Sequence, residues 1–229
     1  MLSLADIKPL HLADVTLPRG TPLEGQSCPV YGFVVTHTDG IVMIDTGVGG
    51  DHPGIEALYR PVRWPLADGL AELGIAPADV ALVINTHLHF DHCGDNRLFP
   101  GRPIFAQRAE YEAAHAPDYT IPDWVDFPGA IYELVEGERE VLPGLTLIPT
   151  PGHTSGHQSV LLETSTGRIV IAGQAAYTAS EYVNPEEAHA RGLESAWDRQ
   201  KCLESLRRLR ELGPQRVYFS HDPTVWEAS

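Results

Sequence analysis

Residues Asn85 to Gly94 read N-T-H-L-H-F-D-H-C-G. Four potential metal ligands, His87, His89, Asp91 and His92, fall within six consecutive positions directly after the apolar run Ala81-Leu82-Val83-Ile84. Imidazole nitrogens and a carboxylate oxygen are the donors that zinc and similar divalent metals prefer. An apolar run of this length reads as a buried strand, and ligands at the end of a stiff strand are held in place. In an extended segment residues two apart point the same way, so His87 and His89 can grip one metal. A turn after them brings Asp91 and His92 round towards a second position. The stretch therefore implies a mixed α/β enzyme that depends on metal.

Composition bounds the rest. The chain has 229 residues, 43% of them hydrophobic, with 31 acidic against 16 basic side chains and a formal charge of −15. That length is compatible with one α/β domain spanning 1–229. The charge argues against nucleic acid or an anionic membrane as partner, because both need a basic surface. It leaves a small-molecule substrate, handled by a monomer or homodimer. Cys28, Cys93 and Cys202 are odd in number and far apart, so they read as free thiols in a reducing compartment. Beside the ligand cluster, Cys93 is read as a small buried hydrophobe rather than a ligand or reactive thiol. No basic segment leads into an apolar leader at the start, and no apolar run approaches the ~18–20 residues that span a bilayer. Cytoplasmic localisation is expected.

Working outward, Tyr31 to Asp45 reads as strand, Asp39-Gly40 turn and strand, closing on Asp45-Thr46-Gly47. Helical spacing covers Gly54 to Arg60 and Leu66 to Leu73, the second stopped by Gly74. Pro103 to Ala106 reads as a strand and Glu110 to His115 as a helix. Tyr119, Trp124, Phe127 and Tyr132 stand in a proline-rich segment that packs on the domain, with an apolar substrate pocket as the alternative. Val141 to Pro149, Gln158 to Leu162 and Arg168 to Ala172 read as strands, with Thr166-Gly167 as a hairpin turn. Leu193 to Leu212 reads as one amphipathic helix ended by Gly213-Pro214, and Arg216 to Phe219 as a last strand.

Of eleven histidines, His87, His89, His92, His153 and His221 fall at ends of expected strands. His11, His37, His52, His115, His157 and His189 are expected in solvent. Two metal positions each need a third ligand from elsewhere, and P-G-H-T around His153 and S-H-D around His221 supply the candidates.

With these motifs in view, the sequence resembles the metallo-β-lactamase superfamily, and within it the N-acyl homoserine lactonase branch. The likeness runs from the Tyr31–Asp45 hairpin through T-H-L-H-F-D-H, Q-R-A-E-Y (Gln107 to Tyr111), P-G-H-T-S-G-H and S-H-D, with Tyr177 as a further match. It implies a four-layer αβ/βα sandwich and two divalent ions, zinc first, with iron, manganese or cobalt as alternatives. His87, His89 and His153 would hold metal one, and Asp91, His92 and His221 metal two. It also implies a quorum-quenching lactonase in which a metal-bound hydroxide attacks the ester carbonyl. Tyr177 would donate to the developing oxyanion and Asp91 would carry the proton to the leaving group. Asp45 and Asp222 would orient ligand histidines.

One position departs from the family pattern. Where an aspartate bridges both metals in the family, this chain has Gln174, with Tyr177 still three residues on. A neutral amide removes one negative charge, which should weaken metal binding, the second ion in particular. Each position keeps three protein ligands, so a working dinuclear site joined by hydroxide alone is expected, with a partly occupied second site as the alternative. Two rival readings stay open. One is another ester or thioester hydrolase resembling glyoxalase II, against which stands the short chain after His221. The other is a non-catalytic metal- or ligand-binding homologue that has lost its bridge.

Overall fold

The computed structural model describes residues 1–21, 23–50, 52–186 and 198–228. Two sheets face one another. The first contains β1 (Ile7–Thr16), β2 (Ser27–His37), β3 (Gly40–Ile44), β4 (Val62–Arg63), β5 (Val80–Ile84), β6 (Pro103–Gln107) and β7 (Ile131–Val135), in the order β4-β1-β2-β3-β5-β6-β7. The second contains β8 (Arg139–Leu142), β9 (Leu145–Pro149), β10 (Gln158–Thr164), β11 (Gly167–Ile171), β12 (Arg216–Tyr218) and β13 (Trp226–Glu227), in the order β13-β12-β11-β10-β9-β8.

Strand alternation divides the apolar residues into three layers. Phe33, Val35, Val42, Ile44, Leu82 and Ile84 meet Leu145, Leu147, Val160, Leu162, Ile169 and Ile171 between the sheets. On the far side of the first sheet, Leu66 and Leu70 of α2 (Leu66–Glu72) cover Val34, Met43, Val83 and Ile104. On the far side of the second, Leu206 and Leu209 of a long helix (Arg199–Glu211) cover Ile148, Val170 and Val217. Each sheet is thus buried on both faces, which explains why β5 and β11 read as continuous apolar runs rather than alternating ones. The result is the expected four-layer sandwich.

The remaining helices are α1 (Pro53–Tyr59), α3 (Phe90–Cys93), α4 (Arg108–Ala114), α5 (Pro122–Val125) and α6 (Ala179–Val183), with α7 for the Arg199–Glu211 helix. Some boundaries differ from the sequence reading. Val141 to Pro149 is two strands, because Pro143-Gly144 turns the chain between β8 and β9. The expected helix from Leu193 starts later: Asp198 is extended and caps α7, its Oδ1 accepting the N–H of Lys201 at 3.1 Å. Leu193 and Trp197 lie outside the described residues. Strand β1 was not anticipated, since Pro9 and His11 interrupt its pattern, yet it pairs along its length with β2. Among the described residues, no helix is long and apolar enough to cross a membrane.

The topology gathers the functional segments at one edge. Strands β3 and β5 run parallel, as do β11 and β12, and β9 is antiparallel to the intervening β10. The carboxyl ends of β3, β5, β9, β11 and β12 therefore deliver Asp45, the His87–His92 segment, His153, Gln174 and His221. Two backbone bonds tie the sheets there: Tyr31 N–H to Ser220 O and Gln158 N–H to Thr86 O, each 2.8 Å.

Candidate metal centre

The segment after β5 leaves the sheet extended and turns into α3 at His89, so His87 and His89 precede the turn and Asp91 and His92 follow it. Glycine permits the turn to sit where it does. A Cβ on Gly94 would stand 1.8 Å from the backbone nitrogen of Gly49, so the loop after β3 and the histidine segment are packed backbone to backbone.

Two three-donor groups result, His87 with His89 and His153, and Asp91 with His92 and His221. In the first, Nδ1 of His89 lies 3.1 Å from Nε2 of His87 and 3.1 Å from Nε2 of His153. In the second, Oδ2 of Asp91 lies 3.6 Å from Nε2 of His92 and 3.6 Å from Nε2 of His221. Nitrogens about 2.0–2.1 Å from a tetrahedral zinc stand about 3.3 Å apart, so both groups have the spacing of a chelating face. Buried polar atoms normally find partners. Yet Nε2 of His92, Nε2 of His221 and Oε1 of Gln174 are buried without a hydrogen-bond partner among the described residues. Donor chemistry, spacing and these unpaired atoms all fit divalent metal.

The other ring nitrogens are fixed from behind. Asp45 Oδ2 lies 2.8 Å from Nδ1 of His92, and the carbonyl of Pro29 lies 2.7 Å from Nδ1 of His221. Each partner accepts, so Nδ1 carries the hydrogen and Nε2 presents its lone pair to the site. Asp45 also accepts from the Thr86 N–H and hydroxyl, both at 2.7 Å. It does so from a left-handed backbone at φ 55°, a conformation that aspartate tolerates better than most residues. Asp222 behaves otherwise than expected. Its carboxylate accepts from Ala179 N–H at 2.9 Å and Thr224 N–H at 2.8 Å, fastening the start of α6 to the His221 turn rather than orienting a histidine.

The two groups differ electrostatically. Burial and the neighbouring imidazoles hold His87 and His153 well below the ordinary histidine value. Burial, again opposed to charge, is outweighed at His92 by Asp91 and Asp45, which raise it. The Asp91 carboxyl is pushed up by burial and pulled down further by His92, His221 and His89, ending below its usual range. The first group thus offers three neutral nitrogens, and the second carries the carboxylate.

Gln174 sits against His92, and its backbone N–H donates to Nε2 of His157 at 2.9 Å. His157 is fully buried, not solvated as the sequence suggested. Its Nδ1 lies 3.1 Å from the Thr150 carbonyl, and burial lowers its pKa to about 3. It is a neutral strut beneath Gln174. His37 is likewise buried, bonded to Pro143 O at 3.0 Å and Asp39 N at 3.0 Å. His11 is half-buried, stacked between Tyr31 and Trp64, while His52 caps α1 and His115 is exposed. His189 lies outside the described residues.

Tyr177 is half-buried, its ring stacked on His221 at 5.2 Å and edge-on to His153 at 5.7 Å, so it borders both groups. In the aromatic segment, Trp124 and Phe127 are buried packing residues, and Tyr132 packs on Tyr111. Only Tyr119 reaches the site, its ring 4.9 Å from His89. A pair missed from sequence, Tyr59 and Phe90 with rings 4.3 Å apart, stands beside Asp91; burial first, and then the Asp91 charge, raises the Tyr59 phenol.

Residues 25–221 match the family model of the metallo-β-lactamase superfamily. The chain is 34% identical to an N-acyl homoserine lactonase of Bacillus sp. over 88% of its length and 84% of that protein's. It is 32% identical to the N-acyl homoserine lactonase AiiA of Bacillus thuringiensis subsp. kurstaki, over 88% and 84%. A solved N-acyl homoserine lactone hydrolase with the product N-hexanoyl-L-homoserine at its catalytic metal centre superposes with a TM-score of 0.80 at 28% identity, covering 95% of this chain and 93% of the other.

Proposed function

The chain belongs to the metallo-β-lactamase superfamily, and on that footing we propose that it is a metal-dependent hydrolase that opens N-acyl homoserine lactones. The observation that carries the reading is the pair of three-donor groups side by side, His87–His89–His153 and Asp91–His92–His221, with one tyrosine bordering both. The lactonases to which the chain is similar support the choice of substrate.

Two divalent ions, zinc first among them, would supply Lewis-acid polarisation of the lactone carbonyl and activate water near neutral pH. The protein's own groups do the rest. Tyr177 donates its phenol hydrogen to the carbonyl oxygen as negative charge grows there. Asp91 is ionised and set between His92 and His221, where it takes the proton of the attacking water and passes it to the ring oxygen. The ester C–O bond breaks, leaving a carboxylate and the homoserine hydroxyl. Tyr59 and Phe90 offer an apolar wall next to Asp91 for the acyl chain. Gln174 contributes a neutral oxygen beside His92, so the second ion is the weaker and the more easily lost. Three free thiols support a cytoplasmic enzyme.

Turnover of a lactone series with different acyl lengths, set against acyl thioesters and β-lactams, tests the reading. Lactone opening should dominate and should be lost on chelation. Faster thioester hydrolysis would move the assignment to another acyl hydrolase of this fold. No lactone opening at any chain length would sink it.

The altered bridge favours one rival, a binding protein without turnover. Asp91→Asn discriminates, because a rate that falls with this variant requires catalysis in the wild type.

A further inference from the structure

Glu110, the third residue of α4, is fully buried, and the hydrolysis derived above makes no use of it. A carboxylate without solvent must have a dense set of partners or its burial is prohibitive. Its Oε1 accepts the backbone N–H of Leu88 at 2.8 Å and the hydroxyl of Tyr119. Its Oε2 accepts the hydroxyl of Thr154 at 2.6 Å, and the N–H of Gly156 is also directed at the group. All of these partners donate, which suits a carboxylate, an acceptor on both oxygens.

The places from which those donors come matter more than their number. Leu88 is the residue between His87 and His89. Thr154 and Gly156 follow His153 on a loop from the other sheet. Tyr119 lays its ring against His89. One carboxylate therefore fastens both loops that bring three imidazoles together. Gly156 gives a second, independent sign that the fit is close. A Cβ there would stand 2.1 Å from the backbone nitrogen of Glu110 and 2.5 Å from its Cα, so the His153 loop touches the α4 backbone and only glycine permits it.

We propose that Glu110 is a positioning residue that sets the spacing of His87, His89 and His153, and through it the hold of that half-site on its metal. The proposal rests on the reading of these imidazoles as metal ligands. Glutamine replaces the group only in part: its oxygen can accept from the Leu88 N–H while its NH2 donates to the Thr154 hydroxyl, but it is neutral and has one acceptor oxygen where the carboxylate has two.

The test uses the full chain, stripped of metal and titrated with cobalt(II), whose visible spectrum reports each half-site. His153→Ala and His221→Ala provide the single-site reference spectra. Glu110→Ala should bind cobalt at the three-histidine site at least about tenfold more weakly while the other half-site is retained, in line with the usual cost of losing a group behind a metal ligand. Glu110→Gln should fall between it and wild type. Should Glu110→Ala fail to fold, Thr154→Val and Tyr119→Phe each remove one donor and should show the same site-selective weakening in smaller measure. Unchanged cobalt affinity in Glu110→Gln and Thr154→Val, or equal weakening at both half-sites, overturns the proposal. A wild type that binds two cobalt ions but opens no lactone overturns the proposed substrate and leaves this assignment standing.

Discussion

Asp45 and His92, forty-seven positions apart, meet at 2.8 Å through Oδ2 and Nδ1, and the same carboxylate bonds the Thr86 N–H and hydroxyl. One side chain at the end of β3 thus fixes both the tautomer of His92 and the backbone just before His87. Asp45→Asn keeps the left-handed backbone and one acceptor but offers NH2 where an acceptor for Nδ1–H is needed. Metal affinity at the Asp91–His92–His221 group should fall about 10- to 100-fold, read by metal content after dialysis against graded chelator. Full retention would show that Asp45 acts only on Thr86.

Gln174 invites the opposite change. Its Oε1 is buried and unpaired beside the equally unpaired Nε2 of His92. Gln174→Asp adds a negative charge where two dications would otherwise be balanced by Asp91 and its neighbours. The second ion should bind at least about tenfold more tightly, and zinc stoichiometry at limiting metal should rise towards two. An unchanged stoichiometry means that the amide already serves the second ion as well as a carboxylate would.

Tyr177→Phe preserves the stacking on His221 and removes only the phenol hydroxyl. Loss of one donor to a developing oxyanion costs on the order of 10²–10³ in kcat, and we expect a fall of about 10–100-fold here because the ions share that charge. KM and metal content should hardly move. A variant whose kcat is preserved would return Tyr177 to a packing role.

The candidate ligand set was legible because its chemistry is local: His87, His89, Asp91 and His92 are close in sequence, and His153 and His221 stand at strand ends with turn residues beside them. Asp45 was legible only through the family resemblance, since a carboxylate before a glycine loop reads on its own as a turn former. His157 was not, since a histidine between Gly156 and Gln158 looks like any loop residue. Its burial depends on the Thr150 carbonyl and the Gln174 N–H, which arrive from β9 and β11. Strand β1 was missed because His11 and Pro9 hide its alternation, and the start of the long helix at Arg199 depends on the capping geometry of Asp198. Tyr59 and Phe90 come together only once α1 folds over α3. Residues that act by tertiary contact carry no spacing of their own to read.

The thiols yield a prediction free of metal chemistry. Cys93 is fully buried, and its pKa, like that of Cys202, is pushed up by burial to about 12. Both stay protonated and shielded at neutral pH, when only a thiolate reacts. Cys28 is half-buried at the start of β2. A thiol reagent at pH 8 should label Cys28 alone in the native chain and all three after unfolding, as mass spectrometry of peptides would show. Rapid native labelling of Cys93 would contradict its place as a packing residue.

Asp95 provides a pH test of stability away from the ligands. Burial raises its carboxyl to about 6, against the opposing pull of Arg97 and Arg63. Its ion pair to Arg97 Nε is long at 3.9 Å, so little compensates the buried charge. A carboxyl with a folded pKa above its unfolded one binds more protons in the folded state between about pH 4 and 6. Stability from this group is therefore present below pH 4, falls as pH rises through that window, and is lost above about 6. Asp95→Asn removes the charge and should stabilise the metal-stripped protein at pH 7 by about 1–3 kcal/mol, with the gain disappearing near pH 4. Denaturant unfolding of both proteins at the two pH values measures it. A gain equal at both would mean that packing rather than charge distinguishes aspartate from asparagine here, and a loss at pH 7 would mean that Arg63 and Arg97 hold the carboxylate more firmly than its burial resists.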